Sequence, residues 1–85
     1  DMNLQKYLAF VKTVEYGSFT KAAEALSYSQ SGVSRMISDL EQEWKVSLLE
    51  RSKGGVRLTS DGMRLLPCAE ELCRAFQKLE TQVDA

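Results

Sequence analysis

Two helical patterns separated by only three residues constrain this chain more than any other feature. The first, Lys21-Ala22-Ala23-Glu24-Ala25-Leu26, is short and rich in small side chains, which lets another helix cross it closely. Ser27-Tyr28-Ser29 interrupts it. A new helix then opens at Gln30, with Ser29 placed to cap it, and runs to about Glu43. Val33, Ile37, Leu40 and Trp44 fall on one face of this helix, with Met36 at the margin. Gln30, Ser31, Ser34, Arg35 and Ser38 occupy the other. Lys, Glu and Ala have better helix propensity on a merely solvated face, so small polar residues there suggest a face kept for contact. The arrangement predicts a helix-turn-helix, with Ala23 at the crossing, Leu26 and Tyr28 flanking the turn, and Val33 and Met36 behind it. Ser27 stands where glycine is common. Taken alone, the same pattern fits any helical hairpin.

The flanking segments narrow that choice. Leu4, Leu8, Val11 and Val14 recur at spacings of four, three and three, an amphipathic helix of about three turns with Tyr7 and Phe10 beside its stripe. Gly17 closes it in a left-handed cap, and Ser18 or Thr20 caps the helix that follows. After the third helix, two short apolar-containing runs (46–51 and 56–59) enclose Ser52-Lys53-Gly54-Gly55, which reads as a β-hairpin with a positive-φ turn. Thr59 or Ser60 caps a last helix, with Asp61 in the first turn where the dipole favours an anion. Pro67 kinks this helix or marks where its regular part begins. Leu65, Ala69, Leu72, Phe76, Leu79 and Val83 then repeat at four, three, four, three and four, a heptad-like seam widened by Leu66 and Cys73. Such a seam packs on its own domain or pairs with a second copy. A small domain offers little core for so long a helix, so pairing is expected, with these six as dimerisation residues. The expected fold is mainly α: a winged helix-turn-helix of three helices and a two-stranded wing over residues 2–59, then a long linker helix over 60–85.

Composition removes most enzymes. The chain has 85 residues, enough for one domain, and no histidine, so neither a Ser-His-Asp nor a Cys-His pair is available and no imidazole can hold a metal. Cys68 and Cys73 lie five apart in one helix, with Cα atoms about 8 Å apart, beyond disulfide reach, and two thiolates are too few for a zinc site. Unbridged cysteines suggest a reducing, cytoplasmic setting. No stretch approaches the roughly 18 apolar residues of a membrane helix, so no membrane partner is expected, and no cofactor is expected either. Glu70 and Glu71 are adjacent rather than facing, which suits a solvated surface. Met2 is the expected natural start, with Asp1 an addition.

The net charge of −1 by itself speaks against a nucleic-acid partner, but it conceals a pattern. Residues 1–43 carry four basic and six acidic side chains, 44–64 carry five and two, and 65–85 carry two and four. The cations therefore gather on the expected wing and its flanks, where they supply phosphate attraction.

Residues 17–26 (Gly-Ser-Phe-Thr-Lys-Ala-Ala-Glu-Ala-Leu), Ser29-Gln30-Ser31-Gly32-Val33-Ser34-Arg35, Leu40-Glu41, Glu50-Arg51, and Val56-Arg57-Leu58-Thr59 through Gly62 resemble the N-terminal region of LysR-type transcriptional regulators. The resemblance runs through essentially the whole chain from Met2, with the motifs in order and at the right spacing. It implies sequence-specific binding of double-stranded operator DNA by a bacterial regulator, the helix at about 30–43 in the major groove and the wing at about 48–59 on phosphates or the minor groove. It also implies a homodimer through the C-terminal helix, a tetramer as an option for the full-length protein, and an effector-binding domain absent from this chain. Trp44-Lys45 departs from the Leu-Gly pair usual after the third helix, and Leu49 stands where phenylalanine is common. A left-handed lysine costs on the order of 1 kcal/mol, so the helix is expected to end differently, with Trp44 filling more of the core.

Each proposed contact has a plainer alternative. Gln30 offers a bidentate amide to adenine, or is an exposed first-turn residue. Ser29, Ser31 and Ser34 are placed to bond phosphates or base edges, while serine is also ordinary helix-start chemistry. Arg35 grips guanine or a phosphate, against a surface ion pair with Asp39. Ser38 reaches the backbone or is simply solvated. Thr20 and Lys21 hold a phosphate at a helix start, or Lys21 is a solvated cation. Arg51 contacts phosphate or minor groove, against an internal ion pair with a helix carboxylate. Lys53 and Arg57 assist, or are solvent-exposed. Cys73 reads as a small buried hydrophobe. Another class of function is open to this fold: a winged-helix module serving protein–protein assembly, whose mark is a neutral or acidic third helix and wing.

Overall fold

Helix α1 (Leu4–Tyr16) is the post around which the other helices assemble in this computed structural model, which describes residues 4–85. The expected start at Met2 lies outside those residues. Helices α2 (Phe19–Leu26), α3 (Gln30–Trp44) and α4 (Ser60–Asp84) all pack on α1, and the antiparallel strands β1 (Leu49–Ser52) and β2 (Gly55–Leu58) form the wing between α3 and α4. Being covered from several sides explains a shift in the buried stripe of α1. Ala9, Phe10 and Thr13 are completely buried, whereas Leu8 and Val14 of the expected stripe are half-buried. Val33, Ile37 and Leu40 of α3 and Leu48 at the wing's entry complete the centre of the core.

The helix ends follow the capping residues. Ser18 accepts the Lys21 amide at 3.2 Å, Ser29 accepts the Gly32 amide at 3.0 Å, and Thr59 accepts the Gly62 amide at 2.9 Å. Gly17 takes a positive φ of 65° after α1, as its cap position suggests. Two other ends are less ordinary. Ser27, at φ 61°, closes α2 in the left-handed region without the usual glycine. Lys45, at φ 58°, does the same for α3, so that helix ends as a glycine-capped one would, contrary to expectation. The Lys45 and Val46 amides both bond the Glu41 carbonyl, and these bonds offset a backbone cost of about 1–2 kcal/mol. Trp44 is likewise not in the core. It is 36% exposed and stacks on Tyr7 with ring centroids 5.7 Å apart. Pro67 lies well inside α4, seven residues beyond its start, rather than marking its beginning.

The turn of the wing is two residues long, Lys53-Gly54, with Ser52 opposite Gly55, and the positive φ falls on Gly55 at 123°. The register sets Leu49 against Leu58, Glu50 against Arg57 and Arg51 against Val56. Strand alternation therefore puts Arg51 on the same, inward face as Leu49, Val56 and Leu58, and Arg57 on the outer face with Glu50.

Candidate nucleic-acid interface

Helix α3 presents its first turns outward because its inner residues are taken by the core. Gln30, Ser31, Arg35 and Ser38 are all exposed on one side. Arg35 makes no ion pair with Asp39 among the described residues, so its guanidinium is available on that face. Ser29 is committed to capping, and its hydroxyl also lies 3.3 Å from that of Ser31. Ser34 is half-buried, and its hydroxyl accepts a hydrogen bond from Arg51 Nη2.

Arg51 accordingly has two partners inside the protein. Its guanidinium sits 4.3 Å from the centre of the Phe19 ring at the start of α2 and bonds Ser34 in the middle of α3. The internal partner is thus an aromatic face and a hydroxyl, in place of the carboxylate considered from sequence. This tie draws three elements together around an open cleft of about 290 Å³, whose walls include Thr20, Gln30, Arg51 and Ser52. Lys21 is exposed one residue beyond Thr20, Lys53 sits at the tip of the wing, and Arg57 projects from its outer face opposite Glu50.

One organising residue was not singled out from the sequence. Glu41 Oε2 accepts the Leu48 amide at 2.6 Å and the Leu49 amide at 3.3 Å, so a side chain of α3 replaces a strand partner at the entry to the wing. The other end of the wing is fixed by the Thr59 amide donating to the Leu48 carbonyl at 3.0 Å and the Thr59 hydroxyl donating to the Ser47 carbonyl. A tethered wing keeps its cations at a set distance from α3. Leu40-Glu41 belongs to the motifs of the resemblance, but nothing in the residues assigns Glu41 this contact, because the amides it accepts come from where the chain returns after α3.

The expected dimerisation seam divides. Ala69 is buried against the chain's own core, as is Cys73, whose thiol burial pushes up from its ordinary value while nearby Lys12 partly offsets the shift. Leu65 and Phe76 are half-buried, and Leu72, Leu79 and Val83 are exposed. Exposed Cys68 lines an apolar groove with Tyr7, Trp44, Leu65, Ala69 and Leu72. Among the described residues no cluster of three acidic, cysteine or histidine side chains could hold a metal, and no helix is long and apolar enough to cross a membrane.

Residues 4–63 match the family described as bacterial regulatory helix-turn-helix protein, lysR family. A probable nitrogen assimilation transcriptional activator of Synechococcus elongatus is 35% identical over 83 residues, covering 98% of this chain and 26% of that protein. The oxidized form of Corynebacterium glutamicum OxyR superposes with a TM-score of 0.91 at 32% identity, over 98% of this chain and 26% of that one. BenM_DBD in complex with catB site 1 DNA superposes with a TM-score of 0.88 at 35% identity, over 98% and 93% of the two chains. The chain spans about a quarter of the length of the first of these curated relatives.

Proposed function

The chain belongs to the lysR family of bacterial regulatory helix-turn-helix proteins, and we propose that it is the DNA-binding part of a dimeric transcriptional regulator acting in the cytoplasm. Helix α3 enters the major groove of an operator, where Gln30, Ser31 and Arg35 meet base edges and Ser38 the backbone. Thr20, Lys21, Lys53 and Arg57 hold flanking phosphates, and Arg51 adds charge at the cleft between them. Ser29 and Ser34 serve mainly by fixing the start of α3 and the wing. The domain uses no cofactor of its own; effector sensing belongs to a separate domain of the full-length regulator, in which a tetramer is an option.

The observation that carries this reading is the exposed polar face of α3, with an Arg35 that pairs with no carboxylate among the described residues, set beside the cations of the wing. The DNA complex of BenM_DBD, so similar in fold, supports it. Pairing of two copies through α4 would place two such faces on one side of a roughly palindromic site, with half-sites about one helical turn apart.

The test is binding to duplexes tiled across the promoter next to the encoding gene, measured by fluorescence anisotropy over a range of salt. Affinity for one duplex should fall steeply with salt, and Arg35→Ala should cost about 1–3 kcal/mol and blur discrimination at one base position. Equal affinity of the wild-type chain and Arg35→Ala for every duplex would refute the assignment of α3. Failure to bind any of them at low salt would refute DNA binding itself.

A further inference from the structure

The outward face of α3 continues past the residues assigned to reading bases. Ser31, Arg35, Ser38 and Gln42 follow at four, three and four, so they share one side of the helix, and all four are exposed. Three residues beyond Gln42 stands Lys45, exposed as well. From Ser38 onward this side opens into a cleft of about 450 Å³, with Gln42, Lys45 and Ser47 among the residues that line it. One cation, one amide and two hydroxyls are the donors that a phosphate accepts from. Glu41 lines the cleft too, but its Oε2 is engaged by the Leu48 and Leu49 amides. Glu41 and Lys45 are four apart, a spacing at which helical residues commonly pair, yet they do not. Lys45 makes no ion pair among the described residues.

The backbone makes a lysine at this position unexpected. Its φ of 58° lies in the left-handed region, where glycine fits freely and a side chain is crowded. The bonds that this geometry gains run from the Lys45 and Val46 amides to the Glu41 carbonyl. They are backbone bonds, and glycine would make them equally well. Core packing does not hold the side chain either, since it is exposed. What distinguishes lysine here is its charge.

We propose that Lys45, with Gln42 and Ser47 beside it, forms a binding site for a DNA backbone phosphate at the far end of α3, an inference that rests on the DNA reading above. The reach is suitable. Lys45 lies ten residues beyond Arg35, about 15 Å along the axis. The major groove is about 8.5 Å deep, so a helix with Arg35 at the base edges and rising by about 35° brings Lys45 level with the phosphates of the rim. A lysine there is a point charge with no fork to select a base. It strengthens binding to every sequence alike, whereas Arg35 discriminates between sequences.

The test extends the anisotropy titrations to Lys45→Gly, Lys45→Asn and Lys45→Arg, with Arg35→Ala alongside. Each is measured against the best-bound duplex and a shuffled one over a range of salt. Lys45→Gly should weaken both duplexes equally, by about three- to tenfold near 0.1 M salt, and reduce the salt slope by about 0.9. Lys45→Asn, which also tolerates the left-handed backbone, should match it, and Lys45→Arg should keep the wild-type slope. Thermal unfolding supplies the readout that separates this from a structural role. Lys45→Gly should unfold close to the wild-type temperature or above it, because the crowding is relieved. If Lys45 served only to complement the helix dipole, stability would fall and the salt slope would not change. Wild-type affinity and slope in Lys45→Gly, with Arg35→Ala impaired, overturn the phosphate site and leave the DNA reading standing. Altered discrimination between duplexes at an unchanged slope overturns it as well. Failure of the wild-type chain to bind any duplex at low salt overturns both.

Discussion

Gly62 and Gly32 occupy equivalent places but should respond to alanine to different degrees. Each is the third residue after a capping hydroxyl, and each donates its amide to that oxygen. Helix propensity alone favours alanine over glycine by up to about 1 kcal/mol at both. The surroundings decide the sign. At Gly32 an added Cβ would meet only the Ser29 hydroxyl, at 3.0 Å, the far end of a flexible side chain. At Gly62 it would lie far inside contact distance of the Leu48 carbonyl oxygen and 2.9 Å from Leu58 Cδ2. That carbonyl accepts the Thr59 amide and belongs to a completely buried residue, so relief needs a backbone shift on the order of 1 Å. Overpacking of this kind costs about 1–3 kcal/mol, and disturbing the hydrogen bond adds about 1 kcal/mol. Gly62→Ala should therefore lose about 1–3 kcal/mol net, and Gly32→Ala should lie within about 1 kcal/mol of the wild type on either side. For a domain of this size the loss corresponds to a Tm lowered by roughly 5–20 °C. Thermal unfolding by circular dichroism measures it, at one fixed protein concentration because pairing would make Tm concentration-dependent. A Gly62→Ala protein as stable as Gly32→Ala would show that α4 and the wing entry are not in close backbone contact, and the argument from crowding would fail.

Other expectations are simpler. Thr13 is completely buried and its hydroxyl has no hydrogen-bond partner among the described residues, so Thr13→Val should raise stability by about 1 kcal/mol in urea denaturation; a loss would mean the hydroxyl is satisfied in solution. Burial raises the Cys73 pKa above its ordinary 9.0, so the folded state holds its proton more tightly than the unfolded chain. Stability from this source is complete below the unfolded value and is lost as pH rises through the folded one, and Cys73→Ala should flatten that alkaline decline. Alkylation of the folded protein should reach exposed Cys68 long before Cys73, and equal rates would contradict the burial.

How much of this was legible depended on whether a residue answers to local pattern or to a distant neighbour. The break at residues 27–29, the caps at Ser29 and Thr59 and the inner face of α3 follow from spacing and capping chemistry, and the structure has them where those rules put them. The buried stripe of α1 was displaced because a helix covered by α2, α3 and α4 has no single inner face. Trp44 had the periodicity of a core residue, but it lies at the helix end, beyond the reach of the core, and finds Tyr7 instead. Lys45 adopts the conformation that glycine holds elsewhere because the Glu41 carbonyl captures two amides only in that geometry. Glu41 stood among the motifs of the resemblance, but its role was not legible, since that role depends on where the chain returns after the helix.

Arg51 is the residue where pattern and chemistry pulled apart, and its role is testable without removing its charge. Its charge suggested a phosphate contact or an internal ion pair with a carboxylate, and the strand register puts it with Leu49 on the inner face of the wing. There the planar guanidinium covers Phe19 and bonds Ser34, joining β1 to both helices of the helix-turn-helix. Lysine keeps the positive charge but has neither the flat face nor the fork of donors. If Arg51 acts only by attracting phosphate, Arg51→Lys should bind DNA with unchanged affinity and salt slope. If it acts by holding the wing, Arg51→Lys should keep the salt slope, weaken binding by about tenfold, and speed amide exchange in residues 49–58 even without DNA. The structure predicts the second outcome. Exchange at wild-type rates in the variant would return Arg51 to the list of simple phosphate contacts.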